Sequence, residues 1–288
     1  MTHANGAPRG LFLGRATVDV LSVLAVEPPS DGKVQAVDTL VVAGGPAVNA
    51  AVTFAVLGGE AHAASSLGNG AMRTVLDEDA ARHGVKLHEL STDQDFSTPI
   101  STVLSVKASG SRTIVNDARH HARHFVRNPP WLTEAWDVML LDQYEAGFVM
   151  EHADAIRTSH APVILDGGSM KAETDMFLDL ADIPMVSETF HPDGPDGAAV
   201  MFEDRGFTRW AVTLGTEGVL LHDRGVTERI PAKGVDVVDT MGAGDIFHGA
   251  FAAAFAGGQT FREAVEFAMG IAADACRHPG TRAWIADL

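Results

Sequence analysis

An aspartate that follows a glycine turn at the start of an apolar helix is the feature of this chain most able to do chemistry. The stretch VVDTMGAGDIFHGAF, residues 237–251, sets Gly242, Ala243 and Gly244 directly before Asp245. Small side chains in such a turn let consecutive backbone N–H groups face outward, and the positive end of the following helix dipole adds to their pull on phosphate. Asp245 then has two readings. It caps the helix and complements its dipole; or, if the turn holds a phosphoryl group, it takes the proton of an attacking hydroxyl as charge develops. Two rival glycine motifs fail. Phe247 stands where G-x-G-x-x-G requires its third glycine, and no G-x-x-x-x-G-K-[ST] occurs.

The elements that must position this turn are legible on either side of it. The β-branched residues Val235, Val237 and Val238 predict a strand, and Ile246, Phe247, Ala250, Phe251 and Phe255 predict a buried helix with a broad apolar surface. Further upstream, the short apolar runs LFLG, AHAASSL, VMLLD, VILD, MVSE and WAVTL alternate with helical patterns, the mark of a mostly parallel sheet covered on both faces. Two segments break that rhythm, residues 17–42 and 97–116. The second contains STVLSVKASGSRTIVN, whose Ser109-Gly110 pair predicts a hairpin. Two strand-rich pieces outside a doubly wound core predict a small β-sheet lid.

DTMGAGD resembles the C-terminal signature of the ribokinase or PfkB family of carbohydrate and nucleoside kinases. The segment AGGPAVNAAVTFAVLGG, residues 43–59, is similar to that family's N-terminal signature. The resemblance implies one ribokinase-like α/β domain over residues 1–288, with the lid over the sugar and a homodimer formed through it. It implies an ATP-dependent sugar kinase that uses Mg2+, leaves a monovalent cation open, and transfers the γ-phosphoryl group to a primary hydroxyl of a sugar or sugar derivative. A nucleoside kinase of the same fold, or a noncatalytic sugar- or nucleotide-binding relative, is the alternative. Relatives of the nucleoside kind stack the base on lid aromatics, and Phe96 is the lone aromatic near the second lid segment, which disfavours that reading; an intact Asp245 argues against a noncatalytic relative.

The same resemblance assigns roles along the chain. Asp245 is the base, and Gly242, Ala243 and Gly244 steady the transferring charge. Gly44, Gly45 and Asn49 contact sugar hydroxyls, as does Asp19, which otherwise reads as a turn residue. A buried Asn49 amide without a partner costs about 1–3 kcal/mol, so it bonds the glycine turn or awaits a ligand. Arg112 in the lid is structural or faces the cleft. TLGTEG, with Thr213, Gly215 and Gly218, resembles the nucleotide phosphate segment, and Cys276 lies on the adenine side as a packing residue. The family's N-x-x-E pattern is altered here to Ser187, Glu188, Thr189 and Phe190. Glu188 either orders water around magnesium or caps a loop. SGSRTIVN is closest in appearance to ketohexokinase-like bacterial sugar kinases, but ARHHARH follows it where those relatives carry Leu-Pro.

Composition sets the outer limits. The chain has 288 residues, 46% apolar and 20% charged, enough for one large core and a small appendage. Its 21 basic and 38 acidic residues leave a formal charge of −17, which opposes nucleic acid and anionic membrane. One cysteine excludes an internal disulfide and agrees with a reducing cytoplasm. The leader MTHANGAPRG lacks a secretory pattern and reads as a frayed tail. Residues 40–59 are long enough to span a bilayer, but their Gly, Pro, Asn and Thr content favours a buried helix after a tight turn. Against the acidic background, Arg119, His120, His121, Arg123, His124 and Arg127 form a local basic stretch. It reads as a solvated surface, an anionic-acceptor contact or an incomplete metal pair.

Overall fold

The computed structural model describes residues 6–116 and 122–288. In chain order it opens with β1 (Arg9–Leu13), β2 (Thr17–Leu24), β3 (Asp38–Gly44), α1 (Pro46–Val56), β4 (Glu60–Ser65), α2 (Arg73–His83) and β5 (Lys86–Glu89). There follow β6 (Ile100–Val106), β7 (Arg112–Asn116), β8 (Val138–Asp142), α3 (Ala146–Glu151), α4 (Ala153–Arg157), β9 (Val163–Gly167) and α5 (Thr174–Leu180). The last part holds β10 (Ile183–Ser187), α6 (Gly194–Asp204), β11 (Arg209–Thr213), β12 (Val219–Asp223), β13 (Val226–Ile230), α7 (Ala243–Ala256) and α8 (Phe261–Ala275).

Among the described residues these strands form two sheets. The larger has nine strands in the order β13-β12-β11-β10-β9-β8-β1-β4-β5, parallel from β11 to β5, with β12 and β13 added antiparallel at one edge. Its central strands are apolar throughout, as VMLLD and VILDG show, because helices cover both faces. One face buries Phe12, Phe54, Phe247, Phe251 and Phe261 beneath α1, α7 and α8; the other buries Phe148, Phe177, Phe202 and Trp210 beneath α3, α5 and α6. The helix pair that matters for the site is α1 with α7. A Cβ on Gly249 would stand 2.3 Å from the Ala50 carbonyl oxygen, so only glycine lets the two backbones approach this closely.

The smaller sheet is the lid expected from the two strand-rich segments, in the order β3-β2-β6-β7. The predicted hairpin joins β6 to β7, and β2 pairs parallel with β6, which knits the two discontinuous pieces together. The stretch read as a membrane alternative is β3 followed by the buried α1, entered through the Gly44-Gly45 turn. No helix among the described residues is long and apolar enough to cross a membrane.

The strand expected at Val235–Val238 does not form. Residues 231–242 run as a connecting segment, with Val237 53% and Val238 63% exposed. The outer side of the edge strand β13 is open, yet this segment does not pair with it. The Val238 and Asp239 N–H groups donate instead to the Cys276 carbonyl at 2.8 and 3.1 Å. Valine content reported side-chain shape and not pairing.

The α1 core gives a direct test. Phe54 is fully buried, edge-on to Phe12 with ring centroids 5.3 Å apart. Phe54→Ala is expected to cost about 3–5 kcal/mol in denaturant unfolding; a loss under about 1 kcal/mol would show that α1 does not sit against β1 as described.

Candidate active site

The site lies at the carboxyl ends of the parallel strands, where open α/β sheets leave a crevice. The DTMGAGD segment wraps that edge. Gly242 is the N-cap of α7 with φ 68°, and a Cβ there would meet Thr281 Cγ2 at 2.5 Å, so both its conformation and its surroundings require glycine. The following Ala243 N–H bonds Thr240, while the Gly244 and Asp245 N–H groups have no hydrogen-bond partner among the described residues. These are the open donors of a helix start.

Asp245 is held from the opposite side by α1. Asn49, 4% exposed, donates its side-chain N–H to Asp245 Oδ2 at 2.7 Å. Its carbonyl accepts from Arg282 Nη1 at 2.8 Å, and Arg282 is itself paired with Asp79 at 3.0 Å. The guanidinium therefore fixes which end of the amide faces the aspartate. Sequence reasoning offered the glycine turn or a ligand as the Asn49 partner; the fold supplies Asp245 and Arg282. Arg282 and Asp79 lie 203 residues apart in the chain, so no local spacing announces them.

Two further carboxylates were missed by sequence reasoning. Asp142 ends β8 and Asp166 lies opposite it on β9. Asp142, 2% exposed, accepts the N–H groups of Arg15 at 2.7 Å and Tyr144 at 3.0 Å. Asp166 Oδ2 is buried without a hydrogen bond, 3.4 Å from His248 Nδ1. His248 Nδ1 also faces the Gly244 carbonyl at 2.7 Å, and Nε2 faces that of Met185 at 3.0 Å. Burial is the main force on these acids. It pushes Asp142 up to about 7, opposed by the two N–H bonds and reinforced by Asp166. Burial and then Asp166 also push Asp245 up to about 7, against the Asn49 hydrogen bond and His248. The signal was present in VMLLD and VILD, where an aspartate closes each apolar strand.

The remaining predicted residues fall around this edge. Asp19 on β2 accepts from Thr17 at 2.7 Å and its carboxylate lies against Gly44 of β3; burial raises its pKa, partly offset by the Thr17 and Ser101 hydroxyls. Gly45 caps α1 against the backbone of Arg15. Thr213, Gly215 and Gly218 form the turn leaving β11, and Glu188 at the end of β10 is exposed, bonded by its N–H to the Thr213 carbonyl at 2.9 Å. Cys276 closes α8, its thiol held up by burial and then by Asp239, which keeps it a packing thiol.

Arg112 reaches across from the lid to Asp239 at 2.6 Å, and Asp239 also accepts from Met241 and Gly280. Its charge is thus engaged with the loop that leads into the glycine turn. In the basic stretch, Arg119, His120 and His121 lie outside the described residues; Arg123 is exposed and His124 bonds Asp93. A cavity of about 420 Å3 opens between lid and core, lined among others by Phe96, Pro99, Phe125, Gln143, Tyr144 and Lys171.

Comparison with known proteins agrees with this arrangement. The pfkB family carbohydrate kinase description matches residues 13–166 and 184–287. A ribokinase of Haemophilus influenzae is 26% identical over 255 residues, covering 84% of this chain and 83% of that protein. In three dimensions the chain superposes on a Thermotoga maritima ribokinase with a TM-score of 0.79 at 23% identity, over 96% of this chain and 95% of the other. An Arabidopsis thaliana ribokinase, solved with ribose and ATP, gives 0.76 at 22% identity over 96% and 94%. With both signatures, the two sheets and the strand-end site in place, this chain belongs to the pfkB family of carbohydrate kinases and is an ATP-dependent sugar or nucleoside kinase.

Proposed function

We propose that the enzyme transfers the γ-phosphoryl group of ATP to a primary hydroxyl of a sugar or sugar derivative, with Asp245 as general base. The observation that carries this reading is the placement of a buried carboxylate, aimed by Asn49, beside a helix start whose Gly244 and Asp245 N–H groups are open. A sugar kinase needs positioning, a late proton transfer and charge stabilisation more than covalent chemistry. Gly242, Ala243 and Gly244 serve the phosphoryl charge. Asp19, Gly44, Gly45 and Asn49 bound the acceptor side, and Thr213, Gly215, Gly218 and Cys276 the nucleotide side. Arg112 acts through Asp239, as a tie between lid and turn.

Magnesium fits this edge through water. The unbonded Asp166 Oδ2 and the exposed Glu188 are oxygen donors of the kind a hydrated cation uses, and no cluster of three His, Cys, Asp or Glu able to cage a metal occurs among the described residues. The ion would screen the phosphate charges, held mainly by the nucleotide. A nucleoside acceptor is the second reading, since Phe96 and Phe125 line the cavity and offer faces for a base.

A homodimer through the lid is part of the same proposal. On the outer row of the small sheet, Val41, Val20, Thr102 and Val115 are register partners, with Val41 47% and Val115 58% exposed. A row of three valines and a threonine on a solvent-facing sheet is a surface that a second copy can bury.

Two outcomes are expected. Asp245→Asn should retain ATP binding and lose about 10²–10⁴ in kcat, measured by ADP release over a panel of sugars, sugar derivatives and nucleosides. Because the base works only when ionised, kcat/KM of the wild type should climb through neutrality and level off above it, and the variant's residual rate should lack that rise. Near-normal turnover in the variant would remove Asp245 from the role. Separately, Val20→Glu with Val115→Glu should shift the sedimentation coefficient from dimer to monomer; an unchanged value would dismiss the lid interface.

A further inference from the structure

The cavity between lid and core contains two positive charges that no carboxylate touches. Arg15, just after β1, holds its guanidinium carbon 5.1 Å from the centre of the Tyr144 ring, and Lys171 holds Nζ 3.2 Å from the same centre. All three residues line the cavity. Neither cation has a salt bridge among the described residues, and Arg15 Nη2 is buried without a hydrogen-bond partner. One ring attracts two cations through its face, yet it cannot neutralise either.

Three acids nearby are committed elsewhere. Glu145 spends both oxygens on Ser65 and Ser66, and Asp142 on the N–H groups of Arg15 and Tyr144. Asp166 faces His248, and Glu173 is exposed at the cavity rim. Burial pulls the Lys171 pKa down and outweighs the through-space pull of Asp142, Asp166 and the rim residue Glu173, with the like charge of Arg15 adding to the fall. The pair also adjoins the acceptor residues: the Arg15 carbonyl packs against Gly45, and Asp19 feels the Arg15 charge.

We propose that Arg15 and Lys171 form an anion subsite, so that the acceptor is a sugar carrying a carboxylate or phosphate, its charged group on this pair and its hydroxyl toward Asp245. This deepens, and rests on, the kinase reading above. A guanidinium grips such a group through two parallel hydrogen bonds, and an ammonium adds a point charge. Neutral sugars would leave both cations desolvated and unanswered.

The test is titration calorimetry of the intact protein without nucleotide, using glucose, ribose, gluconate and fructose 6-phosphate, each of which keeps a free primary hydroxyl. At low salt at least one anionic sugar should bind about tenfold or more tighter than the neutral pair, and the gluconate and fructose 6-phosphate arms tell carboxylate from phosphate. Arg15→Gln and Lys171→Met should each shrink that anionic-to-neutral ratio, and Arg15→Lys should restore part of it, with folding checked by circular dichroism. The proposal is overturned if no anionic sugar outbinds the neutral ones, or if the ratio survives in both folded variants. Loss of the kinase reading would appear separately, as absence of ADP release with every acceptor, because the binding ratio requires no turnover.

Discussion

The site is organised by the crowding of like charges where the sheet ends. Asp142 and Asp166 face each other across adjacent strands, and Asp245 joins them from the start of α7. Taken from water and set near one another, carboxylates resist ionisation, which is why Asp142 and Asp245 both rise to about 7. That resistance is useful. A solvated aspartate near its ordinary pKa is a poor acceptor for an alcohol proton, and one raised toward neutrality is better matched to the task. The cost falls on stability. The folded protein holds these protons more tightly than the unfolded chain, so their contribution to stability declines as pH rises from about 4 toward 7.

Tolerating this crowding requires partners from distant parts of the chain. Asn49 comes from α1, which can approach α7 because Gly249 leaves no side chain between them. Arg282, near the end of the chain, holds the Asn49 carbonyl and is steadied by Asp79 on α2. The relay thus couples both signatures to an ion pair that neither contains. With Asp79 itself also bonded to His83, the guanidinium has little freedom to swing and release the amide.

The lid is tied to the same machinery. Arg112, at the start of β7, bonds Asp239, whose other oxygen and neighbouring contacts reach Gly280 and Met241. Any movement of the lid that breaks this pair therefore acts on the loop entering the glycine turn. The lid sheet buries Val18, Leu21, Leu24, Val103 and Val106, while Val41 and Val115 stay exposed and no residue of β7 is buried.

By itself the sequence determined the parts whose signal is local. Apolar runs of five or so residues, alternating with helical patterns, announced the parallel sheet; Ser109-Gly110 announced the lid hairpin; and GAGD announced a helix start with an acid beside it. Each rests on backbone conformation or side-chain periodicity within a short window. Where pairing decides, the window fails. Val237 and Val238 have strand-forming side chains but pair with no strand, and Arg112, which read as structural or facing the cleft, pairs with Asp239. Only the tertiary structure set Arg282 against Asn49, Asp166 near Asp245, and Arg15 with Lys171 on one aromatic face. Those meetings span from 27 to more than 200 residues of chain, and their chemistry comes from burial and distance, which no stretch of sequence carries alone.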